Sequence, residues 1–211
     1  MIGEKRARRL RRVAAAALAL FAWAAPAQAA RDITLSDRQA ELVHKAEDAL
    51  NRIHTLKARF LQAASTGEMA EGTVYLSRPG RLRVEYDPPT PVLVVANGAY
   101  FTFVDTKLKQ LSYLGLDATP AGILLRKNVV FSGPDIRVRS VDEGPGVAEI
   151  TLISKKDPTA GSLTLVFSLR PFALAQWRVT DAQGIATTVT LQNPETGVSL
   201  PTTLFDTPQA P

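Results

Sequence analysis

Few residues in this 211-residue chain are equipped for chemistry, and none of them stands in a catalytic arrangement. His44 and His54 lie ten residues apart on one amphipathic stretch. On a helix they would sit about 80° and nearly three turns apart, too far to share a metal ion. The carboxylate pairs Glu47-Asp48 and Asp142-Glu143 fall on helix or turn positions, where solvated charge is expected. The absence of cysteine excludes thiol and zinc–thiolate chemistry as well as disulfide stapling. The chain contains no GxSxG elbow, no glycine-rich phosphate loop and no HExxH pair. These absences leave no catalytic residue, metal ligand or cofactor site to propose, and the pattern is that of a binding protein rather than an enzyme. One charge has an unusual setting: Arg78 directly precedes Pro79, between two strand-like runs. On pattern alone it is a solvent-facing arginine at a strand end.

The elements that would position such residues are mostly strands. An amphipathic helix is expected over 36–56, opened by Ser36 and Gln39 as a capping box, with Leu42, Val43, Ala46, Ala49, Leu50, Ile53 and Leu56 on one stripe. From Lys57 the apolar period changes to two. Strands are predicted near 57–65, 70–77, 81–87, 91–96, 99–104 and 107–113, and again near 135–142, 147–154, 162–169, 174–180 and 185–192. Asn97-Gly98 predicts a hairpin with a type I′ turn. Between the two groups, Thr119–Val130 is apolar at Ile123, Leu124 and Leu125 and has Pro120 where a first helical turn tolerates it. This short helix either plugs the open end of a barrel or covers a ligand cavity. The fold class is therefore α+β and β-rich: a curved antiparallel sheet of about eleven strands, an unclosed half barrel, covered by the N-terminal helix and a short lid helix.

The N-terminus reads as a targeting signal. A basic stretch at 4–12 precedes the apolar run Val13–Ala25 and the small residues Ala27-Gln28-Ala29. Residues 1–29 are expected to be a cleaved signal peptide, leaving 30–211 as a single domain; Arg8-Arg9 and Arg11-Arg12 leave the choice between general and twin-arginine export open. Six of the 25 basic residues and one of the 20 acidic ones lie in that segment, so the remainder carries 19 of each sign and no net charge. A nucleic-acid partner loses its electrostatic support. No cysteine follows the cleavage site, so the mature protein is not expected to be lipidated.

The order of the motifs resembles a known family. Phe60-x-Gln62, Gly72, Arg78-Pro79-Gly80, a strand ending at Glu85-Tyr86, a proline pair, Leu93-Val94-Val95, Asn97-Gly98, Gln110-Leu111 and Thr119-Pro120-x-x-x-Leu124-Leu125 follow one another as in the outer-membrane lipoprotein carrier protein LolA family, over about residues 36–206. The resemblance implies a monomeric periplasmic carrier of a Gram-negative bacterium that holds the acyl chains of lipoproteins. It would take them from an inner-membrane releasing ABC transporter of the LolCDE type and deliver them to a LolB-like acceptor or to the outer membrane directly. Strand parity predicts Leu82, Val84, Tyr86, Leu93, Val95, Phe101 and Phe103 on the concave side, with Leu124 and Leu125 above them, and the resemblance makes this the acyl-chain cavity. Arg78 is implied to hydrogen-bond lid carbonyls around Ile123–Arg126, with Ile123, Leu124 and Leu125 as the lid. Two departures are visible: Val84 stands where the family has an aromatic, and the chain is expected to lack the C-terminal extension of the enterobacterial carrier. A carrier of another lipid or glycolipid, or a lipid-sensing domain of an envelope-stress system, are the alternative readings.

Overall fold

A computed structural model describes residues 33–207 of the chain. The expected signal peptide, 1–29, lies outside the described residues.

Helix α1, Asp37–Arg52, opens with the expected capping box: the Ser36 hydroxyl accepts from the Gln39 backbone N–H, and the Gln39 side chain accepts from the Ser36 N–H. It ends four residues earlier than predicted. Ile53 is already extended and Thr55 begins β1, so Leu56 faces the core from a strand and His54 lies outside the helix, exposed.

Eleven antiparallel strands follow in one sheet. The first group is β1 Thr55–Ala64, β2 Met69–Ser77, β3 Arg81–Tyr86, β4 Val92–Asn97, β5 Tyr100–Asp105 and β6 Gln110–Gly115. The second is β7 Ile136–Gly144, β8 Val147–Ser154, β9 Gly161–Leu169, β10 Phe172–Asp181 and β11 Ala186–Thr196. Each strand pairs with its neighbour in sequence except at the chain's midpoint, where β6 and β7 stay apart and become the two edges. The sheet is joined instead through β1 and β11, giving the order 6-5-4-3-2-1-11-10-9-8-7. The expected unclosed α+β half barrel is what the chain forms.

The β4–β5 hairpin is present, but its loop is Gly98-Ala99. Gly98 takes φ +113° while Asn97 stays within β4, the glycine-first arrangement of a type II′ turn rather than type I′. The backbone of Gly98 also lies against Gly80, where a Cβ would come within 2.8 Å of the Gly98 Cα.

α1 packs into only half of the concave face. Leu42, Val43, Ala46, Ala49 and Leu50 form one core with Ile150, Leu152, Leu163, Leu165 and Phe167 from β8 and β9. The loop after the lid is fastened to the same helix: the Asn51 side chain donates to the Val129 carbonyl at 3.0 Å and accepts from the Val129 N–H at 2.8 Å, and Glu47 accepts from the Phe131 N–H at 2.6 Å. The other half of the concave face, on β1 to β5 and β11, has no α-helix over it, and part of it lies beneath the short segment Pro120–Leu125.

Candidate functional site

The uncovered half of the sheet forms an apolar cavity in two connected parts. The open part, about 370 Å³, is lined by Phe60 and Val74, by Leu82, Val84 and Tyr86 on β3, by Phe101 and Phe103 on β5, and by Trp177. The second part lies beneath the lid, between Leu124 and Leu125 above and Leu56, Leu76 and Leu82 below, and measures about 60 Å³. Val74, Leu82, Phe101, Ala121 and Trp177 border both.

Sheet register decides which side chains reach this cavity. Val84 stands opposite Val94, and Val94 opposite Phe103, so even-numbered residues of β4 share the concave face with Phe101 and Phe103. Leu93 and Val95 were expected there and are not: they stand opposite Glu85 and Arg83, on the convex face. Val95 is nonetheless fully buried, on the side where the turn Thr202–Phe205 packs over β3 and β4 and where Arg83 donates to the Leu204 carbonyl at 3.3 Å. Leu82, Val84, Tyr86, Phe101 and Phe103 do line the cavity. Phe103 is 38% exposed and forms part of its mouth. At the floor, Phe60 meets Tyr86 edge-on with ring centroids 5.3 Å apart, and the Tyr86 hydroxyl donates to Gln62 at 2.8 Å. Burial raises the Tyr86 pKa, and the Gln62 hydrogen bond opposes that shift.

The lid is a 3-10 turn, Pro120–Leu125, rather than an α-helix. Six residues do not sustain an α-helix here: Thr119 caps Ala121, Pro120 sets the start, and Gly122 lies so close to the preceding turn that a Cβ would stand 2.0 Å from the Leu116 carbonyl oxygen. Leu124 and Leu125 line the narrow space, whereas Ile123 packs toward the α1 core and a cleft on the lid's outer side.

Arg78 is not where the resemblance implied. Its Nη1 donates to the carbonyl of Leu50 in the last turn of α1, at 2.7 Å, and not to the lid. Among the carbonyls around Ile123–Arg126 that were expected to receive it, that of Leu125 accepts instead from the Gly80 N–H at 2.8 Å. The correction has a simple cause: the Arg78-Pro79-Gly80 turn lies between α1 and the lid, and backbone meets lid while the long side chain reaches the helix end. A cation at a helix C-terminus is favoured by the exposed carbonyl dipoles. The guanidinium also borders the narrow space among Leu76, Leu124 and Leu125, and its Nε–H is buried without a partner. Burial pushes its pKa down to about 10, so it stays charged at neutral pH.

The far end of the lid carries its own clasp. Arg126 pairs with Asp135 through both guanidinium nitrogens, and this pairing holds the Asp135 carboxyl below its ordinary value. A group with a lowered folded-state pKa adds stability above the unfolded pKa, about 4, and loses it as pH falls through the folded value. The pair is partly solvated, so its contribution is less than about 1 kcal/mol. Asp135→Asn is therefore expected to lower stability slightly at neutral pH. The difference between variant and wild type should close below about pH 4, as thermal melts over a pH series will show.

The comparisons with known proteins agree with this architecture. The profile of the family described as outer membrane lipoprotein carrier protein LolA matches residues 51–208, and the chain belongs to that family. It is 27% identical over 165 residues to the outer-membrane lipoprotein carrier protein of Methylococcus capsulatus, covering 74% of this chain and 78% of that one. It is 34% identical over 95 residues to the protein of the same name from Dechloromonas aromatica; that match spans 41% of this chain and less than half, 46%, of the relative. Among solved structures, a DUF1329 family protein from Desulfovibrio piger superposes with a TM-score of 0.51 at 11% identity, covering 80% of this chain and 96% of that one. That likeness concerns the fold alone.

Proposed function

We propose that this protein is a periplasmic carrier that receives the acyl chains of lipoproteins in the concave cavity and shuttles them between membranes. The observation that supports this most is the pairing of an open apolar cavity of about 370 Å³ with an adjoining apolar space of about 60 Å³ under the lid Pro120–Leu125. Pockets of several hundred Å³ with apolar walls are of ligand size. One sixteen-carbon chain left in water would cost on the order of 12 kcal/mol, at about 0.8 kcal/mol per methylene. A carrier must offset most of that and still release, and a cavity able to refold onto itself when empty supplies the second half. Among the described residues no helix is long and apolar enough to cross a membrane. Loading from a LolCDE-like transporter and delivery to a LolB-like acceptor, or directly to the outer membrane, complete the proposal, with Arg78, Leu124 and Leu125 as the elements governing release.

The register of β4 gives the sharpest test. Phe103→Asp puts a carboxylate in the cavity mouth and is expected to weaken binding of an environment-sensitive fatty-acid probe by about tenfold, since an acyl chain lying in the mouth would have to strip water from the charge. Leu93→Asp, on the convex face, is expected to leave probe binding unchanged. Equal loss in both variants, or in neither, would place the ligand elsewhere. Mass spectrometry of material co-purified with the wild type then identifies the lipid class.

A further inference from the structure

The last hairpin before the lid has a surface that the cavity does not explain. Nine large apolar residues are exposed among the described residues, and five of them, Tyr100, Phe103, Leu108, Tyr113 and Leu114, belong to β5, β6 and their connecting turn. Phe103 and Leu114 rim the cavity mouth, while Tyr100, Leu108 and Tyr113 do not line it. At the tip, Leu108 is 62% exposed and stands between Lys107 and Lys109, both exposed and without an ion pair among the described residues. The tip is held in shape: the Asp105 carboxylate accepts from the N–H of Lys107 at 2.9 Å and of Leu108 at 2.7 Å, and Thr106 donates to the Pro91 carbonyl through its backbone and its hydroxyl. Asp105 keeps its negative charge while bonded into the turn, so the tip Asp105–Lys109 carries a net charge of +1 from its two lysines.

β6 is also an edge strand, yet Gln110–Gly115 carries no charge. Soluble proteins ordinarily blunt such an edge with charged residues, and apolar clusters of this kind mark interaction surfaces. We propose that the β5–β6 hairpin is a docking surface for an anionic lipid bilayer, with Leu108 entering the headgroup region, Tyr100 and Tyr113 at the interface, and Lys107 and Lys109 on acidic headgroups. The charge complementarity commits it to that partner: an apolar tip between unpaired cations suits an acidic lipid surface, where each lysine adds attraction and tyrosine favours the interface. Tyr113 stands opposite Thr102 and Tyr100 shares that parity, so the two tyrosines lie on the convex face while Phe103 and Leu114 lie on the concave one, and docking is through the hairpin tip and the β6 edge rather than through the cavity mouth. The proposal rests on this surface and goes beyond the carrier reading; it holds whatever the cavity carries.

The test is flotation of the mature chain, residues 30–211, so that the basic and apolar segment 1–29 does not itself bind lipid, with vesicles of phosphatidylglycerol and phosphatidylethanolamine, and with vesicles of phosphatidylcholine alone, at low and high salt. The wild type is expected to float with the anionic vesicles at low salt, and Leu108→Glu and the double variant Lys107→Glu/Lys109→Glu to float about tenfold less. Met69→Glu, at an exposed apolar residue outside the hairpin, serves as the control and should match the wild type, with melting temperature confirming that all three fold. Binding that ignores both hairpin variants, or that is equal on neutral vesicles, overturns the proposal. So does a dimer in sedimentation that Leu108→Glu dissociates, since the hairpin would then be an interface between copies. The two readings fail separately: a wild type that floats but binds no fatty-acid probe defeats the carrier reading alone, and one that binds the probe but does not float defeats the docking surface alone.

Discussion

Gly72→Val is expected to lower stability by more than about 3 kcal/mol, more than any other single substitution on the cavity wall. Gly72 lies on β2 between Phe60 of β1 and Tyr86 of β3, on the concave face. A Cβ at this position would stand 2.1 Å from the Glu85 carbonyl oxygen and 2.8 Å from the Phe60 ring. The ring could yield, but the carbonyl belongs to the paired strand and moves only if the sheet does. The missing side chain is what lets Phe60 lie flat over the strand and Tyr86 meet it edge-on, so the cavity floor depends on a hydrogen atom at Gly72. Chemical denaturation will measure the loss, and a change within about 0.5 kcal/mol, the range of a surface substitution, would refute this account of the floor. Gly72→Ala already adds the clashing atom and should lose nearly as much, which separates a steric cause from a general effect of β-branching.

The fold was largely legible because period-two alternation survives along nearly every strand, and α1 announces itself through Ser36 and Gln39. Register across β4 differs from the strand-parity expectation, although the chain carries the information that sets it. Val92–Ala96 is apolar at every position, so alternation alone could not choose between its two faces. The hairpin could have. A two-residue loop places odd-numbered residues of one strand opposite even-numbered residues of the other, so Phe101 and Phe103 had to share a face with Val94 and Ala96, never with Leu93 and Val95. The Asn97-Gly98 signal thus contained the correction to the cavity residues drawn from it. Covering of the convex side by Thr202–Phe205, which buries Val95, arises from a chain end more than a hundred residues away and has no local signal. The partner of Arg78 was hidden for the same reason: Leu50 comes beside it only when β1 has folded back from the helix end.

That relocated partner changes how Arg78 is expected to act, and Arg78→Leu should slow release of a bound acyl chain about tenfold while leaving or raising affinity. The guanidinium makes a charge-assisted bond to the Leu50 carbonyl, worth roughly 1.5–3 kcal/mol, but sits partly desolvated against Leu76, Leu124 and Leu125 with a buried, unpartnered Nε–H. Gain and burial cost nearly cancel, as with many buried charges that an apolar residue replaces without loss, so Arg78→Leu should shift stability by no more than about 1 kcal/mol. The effect falls on the two states of the cavity instead. A cation among apolar walls opposes an acyl chain lying beside it and favours the collapsed arrangement, in which the guanidinium keeps its bond to the helix end. Leucine adds wall that rewards a retained chain and removes the tie that favours closure. Arg78→Lys keeps the charge and should retain most of the release rate, which a merely space-filling role would not predict. Loading and unloading measured separately with one labelled lipoprotein decide the matter: if Arg78→Leu loads poorly and unloads at the wild-type rate, Arg78 binds cargo rather than expelling it, and the collapse of the cavity must be driven by the lid leucines alone.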